Sequence, residues 1–107
     1  MQVKLMLAVL VLMALTACSW VKLTPQGEKV RVLTAQEVTN CRMLGKTTAN
    51  VADRVGGIER KDHIVKENLE TLARNAAGGM GGDTIVPASG ITEGKQVFDV
   101  YKCIGVQ

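Results

Sequence analysis

At 107 residues the chain has room for one small domain and not for two. A formal net charge of +3 and only three aromatic residues, Trp20, Phe98 and Tyr101, exclude the strongly basic, aromatic-studded surface of a single-strand nucleic-acid binder. A domain of this size buries a modest fraction of its surface, and a covalent staple is expected to help it fold.

Met1 to Lys4 is a short start carrying one lysine. An almost wholly apolar run from Leu5 to Leu15 follows, then two small residues, Thr16 and Ala17. These are the parts of a secretory signal. The apolar run is about eleven residues, against roughly twenty for a membrane-spanning helix, so a transmembrane anchor is the weaker reading. Leu15-Thr16-Ala17-Cys18 resembles the bacterial lipobox. The resemblance implies a diacylglyceryl group on the Cys18 thiol, cleavage before Cys18, and acylation of the new amine. One acyl chain binds a bilayer marginally, at about 0.8 kcal/mol per buried methylene, whereas three on one residue hold it there. Ser19 stands where an aspartate commonly marks inner-membrane retention, which implies sorting to the outer membrane. The mature chain, Cys18 to Gln107, would lose Lys4 and carry a charge of 12 − 10 = +2.

Residues 18–28 read as a lipid-anchored tether with Pro25 and Gly27. Trp20, two residues from the anchor, is placed either at the headgroup level or in a free tail. Lys29 to Leu33 alternates charged and β-branched residues and predicts a strand with Val30 and Val32 inward. Thr34 to Asn40 is a polar connection. Cys41 to Thr48 predicts a second strand, weakened by Gly45. Ala49 to Lys61, with Gly56-Gly57 and charges of alternating sign, reads as a solvated loop, with partner binding as its sharper alternative.

The clearest element is a helix over Asp62 to Ala77. Asp62 is the expected N-cap, and Val65, Leu69, Leu72, Ala73 and Ala76 form one apolar stripe. Glu70 and Arg74 are spaced for an i,i+4 ion pair. Gly78 to Gly82 stops the helix and supplies a left-handed residue at its end. A phosphate-binding reading of these glycines fails because such loops precede a helix and this one follows it. Asp83 to Val86 predicts a short strand cut by Pro87, Ser89 to Lys95 a turn-rich link, and Gln96 to Cys103 the last strand.

With Cys18 assigned to lipid, Cys41 and Cys103 remain. Outside the inner membrane a disulfide between them is the natural reading, closing a loop of about sixty residues worth roughly 4 kcal/mol. Two buried free thiols are the alternative. One histidine, His63, and two distant cysteines match no zinc spacing, and no cofactor is expected. If the second and last strands pair antiparallel, Cys41 faces Cys103.

The pattern predicts a two-layer α+β domain over residues 29–107, in the order β-β-α-β-β. One helix packs on a small, mostly antiparallel sheet, with residues 1–17 as signal peptide. Gly27-Glu-Lys-Val-Arg-Val32, Cys41-Arg-Met-Leu-Gly45, Leu72-Ala-Arg-Asn-Ala-Ala77 with its glycine-rich continuation, and Val100-Tyr-Lys-Cys103 together resemble the small enterobacterial lipoproteins of the YjeI type, a family of domains of unknown function. That family is more remotely similar to the Rcs stress-sensing outer-membrane lipoprotein, which has two disulfides and a long proline-rich linker where this chain has two domain cysteines and no such linker.

The expected function is therefore non-enzymatic. The protein would be a lipoprotein on the periplasmic face of the outer membrane that binds an envelope protein partner, with no nucleic-acid role. The alternatives are a small envelope hydrolase and a small-ligand carrier. Hydrolase chemistry would have to draw on Asp62, His63, Ser89, Asp99 and Tyr101, whose spacing dictates no nucleophile–base geometry. Asn68 and Asn75 share a helix region and read as surface residues or backbone caps, with ligand reading as the sharper alternative.

Overall fold

The computed structural model describes residues 21–52, 54–55, 58–59 and 61–105. Cys18 and Trp20 lie outside them. In chain order the elements are a helical turn α1 (Pro25–Glu28), strand β1 (Arg31–Val32), a 3-10 turn (Ala35–Val38), strands β2 (Arg42–Asn50), β3 (Arg54–Val55) and β4 (Ile58–Glu59), helix α2 (Asp62–Gly79), and strands β5 (Thr84–Pro87) and β6 (Lys95–Lys102).

The main sheet runs β1-β5-β6-β2. β5 pairs antiparallel with β6, and β6 antiparallel with β2, while β1 joins β5 in parallel at the edge. Helix α2 packs on one face of this sheet, so the architecture is the expected α+β arrangement with one main helix on a mixed, mostly antiparallel sheet. The helix contributes Val65, Leu69, Ala73 and Ala77, spaced four apart. They meet Ala49, Ile85, Phe98 and Val100 from the sheet, with Val30 completing the cluster. Leu69, Ile85, Phe98 and Val100 are fully buried, and side chains of this kind are each worth about 1.5–3 kcal/mol on burial. The buried stripe ends at Ala77, while Ala76, expected on it, is only half-buried.

Several local expectations change. Val32 is 38% exposed, because β1 is two residues long and sits at the sheet edge. β2 extends to Asn50, and the stretch read as an open loop contains the antiparallel pair β3–β4. The N-cap of α2 is Lys61, and Asp62 is the first helical residue, placed where the helix dipole still favours its charge. Arg74 does not pair with Glu70. Its guanidinium donates to the carbonyls of Val30 (2.8 Å) and Glu28 (3.2 Å), where a fixed fork of donors meets two acceptors.

The tether reading also shortens. Thr24 caps α1, its hydroxyl accepting the Gly27 N–H, and Pro25 occupies the first turn, where its missing donor costs nothing. α1 then lies against the C-terminal half of α2. The Asn75 side chain accepts the Thr24 N–H and donates to the Lys22 carbonyl, both at 2.8 Å. The contact is close enough that a Cβ on Gly78 would come within 2.8 Å of the Gln26 backbone.

Two turns follow their residue chemistry closely. At the end of α2 the Gly82 N–H donates to the Ala77 carbonyl and the Gly81 N–H to the Gly78 carbonyl, with Gly81 at φ 82°. This is the Schellman pattern, and the glycine run provides its left-handed residue. Before β6, Thr92 and Lys95 exchange both backbone hydrogen bonds around Glu93 (φ 49°) and Gly94 (φ 73°). Positive φ at both central residues is the signature of the tight turn that matches strand twist.

Candidate functional site

The ladder between β2 and β6 is in register from Asn50↔Lys95 to Arg42↔Lys102, with a bulge between Met43 and Gly45. The next pair outward is Cys41 and Cys103, and they are joined by a disulfide, Cα–Cα 4.4 Å. This spacing is that of directly opposed residues in an antiparallel pair, as the expected strand pairing required.

Beside the disulfide lies Asp83, the one buried carboxylate among the described residues. It sits between the Schellman turn and β5. Its Oδ1 accepts the Cys103 N–H (2.8 Å) and the Thr84 hydroxyl (3.0 Å), and its Oδ2 accepts the Ile104 N–H (2.8 Å). Lys102 Nζ is 3.8 Å from Oδ2. Burial alone would push this carboxyl up, but the two backbone N–H groups, the hydroxyl and the Lys102 charge outweigh it and hold the group below the usual aspartate range. Asp83 is therefore a satisfied anion that fixes the backbone leaving β6. Sequence reasoning passed over it because an aspartate between a glycine run and a strand reads as turn polarity. The only available signal was its position between a helix stop and a strand start.

The sequence-derived candidates for chemistry are each placed by local structure. The Ser89 hydroxyl accepts the Val97 N–H (3.0 Å) and donates to the Gly90 carbonyl (2.9 Å), tying the β5–β6 link to β6. Asp99 accepts a hydrogen bond from Lys46 (2.6 Å), its registered partner across the ladder. Tyr101 is half-buried opposite Met43, and its carbonyl accepts the Asp83 N–H. Asp62 and His63 are exposed in the first turn of α2. Asn75 caps backbone, as one of its readings required, whereas Asn68 is buried on α2 and is not the surface residue expected. Among the described residues no three of His, Cys, Asp and Glu come together as a metal-ligand group, and Cys41 and Cys103 are committed to each other.

A further feature concerns exposure. Met43, Met80 and Ile104 are 47%, 42% and 63% exposed, and all three lie at the disulfide end of the domain. Met43 is opposite Tyr101, the Met80 methyl lies 3.2 Å from where a Gly45 Cβ would stand, and the Ile104 amide is held by Asp83. Sequence reading missed this grouping because the three residues come from three separate segments.

Taken together, these features define a disulfide-clasped α+β domain whose buried charge serves architecture. The chain belongs to the family described as Domain of unknown function (DUF4156), which it matches over residues 21–103, in agreement with the resemblance drawn from its motifs. The matched span runs from just before Lys22 to the second half-cystine and so covers the whole cross-braced unit. No curated protein and no solved structure matches the chain.

Proposed function

We propose that the protein is a lipoprotein of the outer membrane, held on the periplasmic face through lipid on Cys18, and that it works by binding an envelope protein partner. The Cys41–Cys103 disulfide is the observation that carries this reading. Such bonds persist in oxidising compartments, and the apolar N-terminal run ending in Leu15-Thr16-Ala17-Cys18 supplies both export and an anchor. No helix among the described residues is long and apolar enough to cross a membrane. A non-enzymatic role is supported by the engagement of Ser89 with backbone and of Asp99 with Lys46.

Palmitate labelling and membrane fractionation of the wild type and Cys18→Ala test the anchor. Label and outer-membrane density are expected in the wild type and lost in the variant, and an unlabelled wild type overturns the reading. A photo-crosslinking residue at exposed Lys61, beside β4, tests partner binding in cells. One specific protein adduct is expected, and its absence would remove the partner.

A further inference from the structure

Among the described residues, the first backbone group anchored to the domain is the Lys22 carbonyl, held by Asn75 near the C-terminal end of α2. Cys18 precedes it by 22 − 18 = 4 residues. At roughly 3.3–3.6 Å per residue, that is a reach of about 14 Å at full extension. A lipid on Cys18 therefore keeps Lys22 within about 14 Å of the membrane surface and favours orientations in which the part of the domain beside Lys22 faces it.

That part is the end where the exposed apolar side chains gather. Asn75 is five residues before Met80, about 7.5 Å along the helix axis. Met80 reaches toward Gly45, while Met43 and Ile104 flank the disulfide on the neighbouring strand ends. Arg42, exposed beside Met43, adds positive charge to the same rim, and Lys102, half-buried near Ile104, offsets the Asp83 carboxylate there at 3.8 Å. The carboxylate nearest to it, Asp83, is buried and engaged. Apolar tips among basic residues suit the interfacial layer of a phospholipid bilayer, where the tips enter the acyl boundary and the cations meet phosphates.

Resting on the proposed lipidation of Cys18, we propose that Met43, Met80 and Ile104 form a membrane-seating rim that sets the domain upright on the bilayer carrying its own acyl chains. The opposite end, with the start of α2 and the Thr92–Lys95 turn, then points away from the bilayer.

The test uses the full lipidated protein in vesicles of phosphatidylethanolamine and phosphatidylglycerol with brominated acyl chains. Trp20 is the sole tryptophan, so a Trp20→Phe background carries single probes at Met80→Trp, Ile104→Trp and Ile91→Trp. Ile91 is the control because it is 42% exposed, like Met80, but lies in the β5–β6 link at the far end. Bromine is expected to quench the Met80 and Ile104 probes about twofold or more over the Ile91 probe, as seating of the rim in the acyl boundary requires. Equal quenching at all three positions overturns the proposal. So does a rim that floats with vesicles, unquenched by bromine but shielded from aqueous iodide, which would assign it to a second copy or a protein partner. Failure to float, with an unmodified Cys18 by mass, overturns the anchor as well, and so separates the two readings.

Discussion

Asp83 Oδ1 lies 2.8 Å from the backbone nitrogen of Cys103, so a buried carboxylate holds the main chain of a half-cystine. The same side chain takes the next amide, that of Ile104, on its other oxygen. Asp83→Asn keeps the shape but turns one acceptor into a donor that faces an N–H. A loss of about 1.5–3 kcal/mol is expected, the usual range for hydrogen bonds to a charged group, read as a lower urea midpoint at unchanged slope.

The same contact sets a pH dependence. The folded-state value of Asp83 is depressed, so its contribution is fully present above the unfolded aspartate value of about 3.9 and is lost as pH falls through the folded value. Glu37 is shifted the same way by the Thr34 N–H and hydroxyl, which donate to its Oε1. Comparing wild type with Asp83→Asn isolates the first group. The difference in melting temperature between them should be constant from neutral pH to about 5 and shrink below about 4. A difference that stays constant into strong acid would contradict this assignment.

Two glycines in one run should respond oppositely to alanine. A Cβ at Gly82 would stand 2.6 Å from Val100 Cγ1 and 3.2 Å from the Ala77 and Tyr101 carbonyls, and Val100 is fully buried. Gly82→Ala is expected to destabilise by about 1–3 kcal/mol through overpacking. At Gly79, the last helical residue, nothing lies within 4 Å of the added carbon. Gly79→Ala is expected to stabilise by about 0.4–1 kcal/mol, mainly by restricting the unfolded chain. Chemical denaturation of the two variants side by side decides it.

Asn75→Ala should release the N-terminal segment from α2. It removes the bonds to the Thr24 amide and the Lys22 carbonyl but no core contact. Hydrogen exchange at the Thr24 amide should quicken by more than about tenfold, the equivalent of 1.4 kcal/mol, while core amides of β6 change little. Uniform acceleration across the domain would instead place α1 within the cooperative core.

Much of this fold was legible from side-chain period and cysteine position. The helix announced itself through Val65, Leu69 and Ala73, and the β2–β6 pairing through the positions of Cys41 and Cys103 at the start of one strand and the end of the other. What escaped was decided by contacts distant in sequence. Thr24-Pro25 carries a helix-start signal, but four residues ending in Gly27-Glu28 form a helix only because Asn75 and Arg74 hold them. Val32 has strand character, yet its burial depended on being covered, and an edge strand two residues long is not. Gly56-Gly57 between short β-prone pairs was a hairpin signal outweighed by the surrounding charges. The apolar rim could not be read at all, since no local pattern links Met43, Met80 and Ile104.

The covalent bond between residues 41 and 103 spans 62 positions and encloses most of the domain's elements, including the β3–β4 hairpin. A protease that nicks the hairpin therefore yields two fragments tied into a single molecule. Such a product would migrate as one species until a reductant is added. In an oxidising compartment, damage there would leave both halves attached to whatever holds the N-terminus.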